Sequence, residues 1–147
     1  GQKRRAAIAG VLAMRPEAII LDEPAAGMDP AGRDEILGEI DKMHQRGGFT
    51  VILVSHSMED VAKHADRLIV MDKGRVVLSG DPRKVFSEEE SLLRMGLGVP
   101  QTVRLYNLLA KRGIMLPHDL PLTVEELSRM LLGYNMGSEL AGEGARQ

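Results

Sequence analysis

Two adjacent carboxylates, Asp22 and Glu23, close the apolar run Ile19-Ile20-Leu21. Pro24 follows them, and then a turn, Ala26-Gly27-Met28-Asp29-Pro30, brings a third acid. Such a run suits a buried strand that delivers Asp22 and Glu23 to a site at its tip. One acid can position Mg²⁺, directly or through water, and its neighbour can polarise a water for attack on a phosphoryl group. Carboxylates at the C-terminal tip of a parallel strand stand where α/β sheets bind ligands. A nucleotide site also needs a glycine-rich loop to cradle phosphates, and the 147 residues contain no Gly-x-x-x-x-Gly-Lys-Ser/Thr. The chemistry is that of the back half of a nucleotide-hydrolysing machine.

His56 is the second candidate. It follows the apolar run Thr50–Val54, which should lie parallel to Ala18–Leu21, so both tips open on one sheet edge. A neutral imidazole there can donate to a phosphate oxygen and orient the attacking water. Asp29 suits the cap of a helix over Pro30–Arg46 and could also contact a second subunit. Gly1-Gln2, at a helix start, could bind phosphate through backbone N–H groups. Lys3, Arg4 and Arg5 read either as a solvated face or as a contact surface. His44, His64 and His118 read as surface residues, and Met14, Met28, Met43 and Met58 as core or interface filling. No Cys/His cluster suggests zinc.

Hydrophobic periodicity and breakers place these residues on elements. Gln2–Met14 reads as a helix with an Ile8/Val11/Leu12 stripe, ended by Arg15-Pro16. Ala18–Leu21 and Phe49–Val54 read as fully buried strands, apolar on both faces. Between them, Pro30–Arg46 reads as a helix with an Ile36/Ile40/Met43 face, stopped by Gly47-Gly48. Met58–Ala65 reads as a short helix, and Arg67–Met71 and Arg75–Ser79 as a hairpin turning on Asp72-Lys73-Gly74. Asp81-Pro82 opens a helix through Phe86. This order implies an α/β fold with a parallel sheet flanked by helices.

Beyond residue 86 the character changes. Glu88-Glu89-Glu90 reads as a solvated helix start, and Pro100–Arg112 as a helix with Leu105, Leu108 and Leu109 on one face. Thr123-Val124-Glu125-Glu126 resembles a capping box ahead of Leu127, Met130 and Leu131. The expected division is residues 1–86 as one domain and 87–147 as a small helical appendage, with a flexible tail after about 133. The appendage is too short to bury much core alone and should pack on the first domain or a partner.

Composition is that of a globular chain, and a net charge of −2 gives no general argument for nucleic acid or an anionic membrane surface. The absence of cysteine excludes disulfides and thiolate chemistry. No apolar run approaches the roughly 20 residues that span a bilayer.

Taken together these residues resemble the ATP-binding cassette (ABC) family. Gly1-Gln2-Lys3-Arg4-Arg5 is similar to the end of its signature motif, Ile19–Asp22 to the Walker B strand, and Glu23 to the catalytic glutamate. Ala26-Gly27-Met28-Asp29 resembles the D-loop, with Met28 a mild departure, and His56 the switch histidine. Asp66–Met71 with Gly74, and Gly80–Phe86, resemble the terminal hairpin and helix of transporter cassettes. The stretch Gly1–Met14, the run Ser55–Asp60 and the helical appendage are similar to the ATPase subunits of energy-coupling factor (ECF) transporters, which import vitamins or transition-metal ions.

The resemblance implies the C-terminal part of a P-loop NTPase cassette, with ATP and Mg²⁺ as ligands. Glu23 and His56 would be catalytic, Asp22 would hold Mg²⁺ through water, and Gly1, Gln2 and Asp29 would touch nucleotide or the partner site. Implied partners are a second ATPase subunit, identical or paralogous, a transmembrane coupling subunit and a substrate-binding membrane subunit, with no nucleic acid. The expected location is peripheral, at the cytoplasmic membrane face. The phosphate loop, glutamine loop and most of the signature motif are expected upstream of Gly1, so the chain reads as partial and inactive alone. Alternatives are a non-hydrolytic fragment acting only in association, another importer's ATPase, or a chromosome-maintenance (SMC-type) cassette.

Overall fold

The computed structural model describes residues 2–117 and 119–143; for Gln2, Arg4, Arg5 and residues 135–143 it describes the backbone alone. Gly1 and His118, both singled out above, lie outside the described residues. The chain forms two compact units, residues 1–57 and 58–147.

The first unit runs α1 (Gln2–Ala13), β1 (Ala18–Asp22), α2 (Pro30–Gly47), β2 (Thr50–Val54). β1 and β2 pair in parallel, with Ala18 opposite Thr50 and Asp22 opposite Val54. Helix α2 forms where expected. Asp29 caps its start, Pro30 occupies the first turn, and Gly48 ends it in the left-handed conformation at φ 65°, donating its N–H to the His44 carbonyl. A residue with a Cβ would be strained at that φ.

The core of this unit holds Ala25, Ile36, Leu37 and Ile40, with Ile8, Leu21, Met28, Val51 and Leu53 packed against them. Each fully buried aliphatic side chain contributes about 1.5–3 kcal/mol. The register places Ile19, Leu21, Val51 and Leu53 on one face, and that face is covered. On the opposite face Ile20 is 70% exposed, and Ile52 and Val54 are exposed as well. The expectation of strands buried on both faces therefore fails for this pair, because the helix between the strands covers only one side. Among the described side chains of α1, Ile8 alone joins the core; Val11 is exposed, as is Met14 just past the helix.

Two histidines depart from the surface reading. His44 Nδ1 lies 2.6 Å from the Phe49 carbonyl, half-buried, and the two rings meet edge to face. A carbonyl can only accept, so Nδ1 carries the proton. His64 is half-buried on α3.

The second unit contains α3 (Met58–His64), β3 (Leu68–Asp72), β4 (Arg75–Gly80), α4 (Pro82–Ser87), α5 (Glu89–Arg94), α6 (Gln101–Lys111) and α7 (Val124–Glu143). β3 and β4 form the expected hairpin, antiparallel, with Asp72 opposite Arg75. Its two turn residues, Lys73 and Gly74, both have positive φ, the requirement of a tight two-residue turn whose twist matches the strands.

One core spans this unit: Ala62, Leu68, Val85, Phe86, Leu92 and Val103. The boundary expected near residue 86 thus falls inside a packed unit, with Phe86 only 1% exposed beside Leu92 and Val103. Neither a lone hairpin nor a few short helices can bury enough apolar surface separately, so they share a core. Val103 carries α6 into it, while Leu105 and Leu108 of the expected Leu105/Leu108/Leu109 face are exposed. Helix α7 continues to Glu143, past the glycine at 133 where a flexible tail was expected.

Arg83 fastens α4 to the start of α7. Its guanidinium donates to both carboxylate oxygens of Glu126, at 2.7 and 3.3 Å, and to the Leu120 carbonyl. Glu126 Oε2 also accepts the Leu122 N–H at 2.7 Å. The Glu126 N–H donates to Thr123 Oγ1 at 3.2 Å, as the expected capping box requires.

Arg83 holds the Glu126 carboxyl below the usual carboxylate range, helped by the Leu122 and Thr123 N–H groups and opposed by burial. A carboxyl depressed on folding stabilises the folded state above its unfolded value, near 4.5, and loses that contribution as pH falls through its folded value. Water screens the pair, since the Arg83 side chain is 38% exposed. Glu126→Gln is expected to cost about 1 kcal/mol at neutral pH. In urea titrations repeated between pH 7 and 3, the variant should approach the parent's stability at the acid end.

Candidate active site

The parallel pairing of β1 and β2 assembles the site from two distant segments. The strands end level, and the Glu23 N–H donates to the Val54 carbonyl at 2.9 Å, extending the ladder one step past β1. Glu23 then adopts φ 47°, the left-handed region that side chains rarely enter. Its carbonyl accepts the Ala26 N–H at 3.1 Å, which starts the turn towards α2.

The Glu23 side chain reaches across to the residue two beyond β2. Oε1 accepts the His56 backbone N–H at 3.0 Å and lies 2.7 Å from His56 Nδ1. An ionised carboxylate only accepts, so the ring nitrogen facing it donates. The imidazole is 85% exposed and the carboxylate 32% exposed. Hydrogen bonds rather than packing therefore set the ring's direction. Nε2 is left as the nitrogen that can meet a ligand, and Glu23 Oε2 as the oxygen that can meet a water.

Asp22 is the last residue of β1, exposed, and on the uncovered face of the strand pair with Ile20, Ile52 and Val54. Among the described residues no three His, Cys, Asp or Glu side chains cluster to hold a metal ion. Mg²⁺ needs no such cage. It keeps several waters and binds through one or two carboxylates together with substrate phosphates, a role that a single exposed carboxylate at a strand tip fits.

Asp29 stands apart from this pair in its bonding. Its Oδ1 accepts the Gly32 N–H at 2.7 Å, and its carbonyl accepts the Arg33 N–H at 3.0 Å. It is the helix cap that its position suggested. A Cβ at residue 32 would come within 3.3 Å of that Oδ1, so the glycine leaves room for the cap. Gln2 opens α1, and Gly1 lies outside the described residues.

Reading the sequence missed three contributors: the His56 backbone N–H, the Val54 carbonyl and Ser55. Ser55 Oγ accepts the Ser57 N–H at 3.1 Å. Ser-His-Ser straight after a strand is a signal for such a side-chain turn, whereas the two backbone groups have no residue-type signature.

The chain is similar to several known proteins. Residues 1–60 match the family model described as "AAA domain, putative AbiEii toxin, Type IV TA system". The chain is 52% identical over 139 residues to the energy-coupling factor transporter ATP-binding protein EcfA2 of Caldanaerobacter subterraneus subsp. tengcongensis, covering 95% of this chain and 48% of that protein. It is 54% identical over 127 residues to EcfA1 of the same organism, covering 86% and 45%. Among solved structures it resembles cbiO1 from Clostridium perfringens, described as part of the ABC transporter complex cbiONQ. That match has a TM-score of 0.57 at 41% identity, covering 76% of this chain and 40% of the other. The chain spans about half the length of the curated relatives it matches.

The cap yields a test. Asp29→Ala is expected to destabilise the chain by about 1 kcal/mol, and Asp29→Asn to change it little, because Asn retains the acceptor. Urea unfolding of the two variants against the parent chain checks both.

Proposed function

The chain belongs to the ATP-binding subunits of energy-coupling factor transporters, a group of ABC ATPases, and on that premise we propose that it supplies the water-activating half of an ATP-hydrolysing site that powers an importer. The observation that carries this reading is the 2.7 Å approach of Glu23 Oε1 to His56 Nδ1 at the shared tip of β1 and β2.

Each residue has a part to play. Glu23, its Oε1 committed to His56, presents Oε2 to the attacking water as the proton acceptor. His56, its Nδ1 held by Glu23, presents Nε2 to an oxygen of the terminal phosphate. When bound, Mg²⁺ would neutralise charge on the phosphates, and the exposed carboxylate of Asp22 is the group here that would hold it, through water. Gln2, at the start of α1, and Gly1 before it in the sequence would meet the phosphates of the partner's nucleotide through backbone N–H groups. Asp29, beyond capping α2, would face the second site.

The 147 residues hold no Gly-x-x-x-x-Gly-Lys-Ser/Thr loop, so by themselves they are not expected to hydrolyse ATP. In the assembled protein the partners would be a second ATPase subunit, a transmembrane coupling subunit and a membrane subunit that selects the cargo, a vitamin or a transition-metal ion. Near-equal identity to EcfA1 and EcfA2 leaves both a paralogous and an identical second ATPase consistent with this reading. Residues 87–147, with Leu105 and Leu108 exposed on α6, would contribute to pairing of the two ATPases. Among the described residues no helix is long and apolar enough to cross a membrane. A peripheral place on the cytoplasmic face is the location this function requires.

Loss of the phosphate that both ATPases grip removes the differential contact favouring the closed pair, so hydrolysis would reopen it. In the complete ATPase pair, Glu23→Gln is expected to lower turnover by about 10²–10⁴-fold while ATP binding persists. His56→Ala should also cut turnover severely. Steady-state hydrolysis together with equilibrium nucleotide binding checks both; turnover surviving Glu23→Gln would refute the proton-acceptor role.

A further inference from the structure

We infer that Ser55 is a positioning residue for the Glu23–His56 pair: its hydroxyl shapes the turn that aims His56 at the carboxylate. The inference rests on the proposed role of that pair in hydrolysis.

The geometry leaves little else to do the aiming. β2 ends at Val54, whose carbonyl is already taken by the Glu23 N–H at 2.9 Å. Within the next two residues the chain must turn so that the His56 backbone N–H and ring Nδ1 both reach the same oxygen, Glu23 Oε1, at 3.0 and 2.7 Å. Ser55 is the single residue between the strand and the histidine. Its Oγ accepts the Ser57 N–H at 3.1 Å in a half-buried setting, closing a side-chain-to-backbone ring around His56.

Packing cannot substitute for that ring, because the imidazole is 85% exposed. An exposed side chain keeps one direction only as well as its hydrogen bonds and its local backbone hold it. Removing Oγ would leave the covered face of the strand pair untouched, since Ser55 is not among the core residues of this unit. The loss should therefore fall on orientation, which acts on the rate of the chemical step more than on nucleotide affinity. Threonine keeps a hydroxyl acceptor at the same place and alanine does not.

The experiment measures kcat and KM for ATP in the complete ATPase pair, for the parent, Ser55→Ala, Ser55→Thr and Glu23→Gln. Thermal unfolding of each variant accompanies the kinetics. The expected result is a fall in kcat of about tenfold for Ser55→Ala with KM within about twofold, and kcat within about twofold of the parent for Ser55→Thr, at unchanged Tm. Parental kcat in Ser55→Ala would overturn the inference. So would a loss that appears in KM instead of kcat, an equal loss in Ser55→Thr, or a lowered Tm that tracks the lost activity. Glu23→Gln separates the two levels. If it remains active, the reading of the site fails; if it is inactive beside a fully active Ser55→Ala, the role of Ser55 fails alone.

Discussion

The parallel register of β1 and β2 is the constraint on which the site depends. Glu23 and His56 are 33 positions apart in the chain, and nothing local brings them together. The pairing of Asp22 with Val54 does so, by ending both strands at one level. A slip of one residue in either strand would turn that strand's inward leucine, Leu21 or Leu53, away from α2 and carry the Glu23 N–H away from the Val54 carbonyl. The hydrophobic face against α2 is thus what holds the register. Burial of Ile36, Leu37 and Ile40 against β1 and β2 is expressed, at the strand tips, as a hydrogen bond between a carboxylate and an imidazole.

At those tips the structure exchanges packing for reach. Glu23 sits in a left-handed conformation at a cost of roughly 1–2 kcal/mol, and His56 is largely in solvent. Neither feature follows from stabilising the fold. Together they place a carboxylate and an imidazole on an open edge, next to the exposed Asp22. Strain of this kind persists where surrounding bonds over-determine it, and here those bonds are Val54 to Glu23 and Glu23 to His56.

The second unit rests on a different interaction. Its hairpin and short helices share one core centred on Phe86, Leu92 and Val103. The Arg83–Glu126 pair then ties the start of the last helix to α4, using a guanidinium that meets two carboxylate oxygens at once. Composition changes after residue 86, yet packing does not. Glu88 and Glu90 sit on the surface, Glu89 is half-buried and accepts from the Asn107 amide at 2.7 Å, and the apolar residues continue inward at Leu92.

Element identity was legible from sequence. Apolar runs bounded by Pro, Gly and Asp marked β1, β2 and the hairpin, and the Asp29–Pro30 start and Gly48 stop marked α2. These are local signals, because caps, turns and periodicity act within a few residues. Asp22, Glu23 and His56 were legible as well, since acids and a histidine at strand ends are conspicuous by type. Three things were decided only in the tertiary structure. The apolar pattern of β1 marks both faces as buriable, but one helix can cover one face, so Ile20 and Ile52 are exposed. The appendage shares a core with the hairpin because burial counts area and not position along the chain. The bonds that join Glu23 to His56 use a left-handed backbone and a backbone N–H. No residue type announces either, and both exist only once two strands distant in sequence lie side by side.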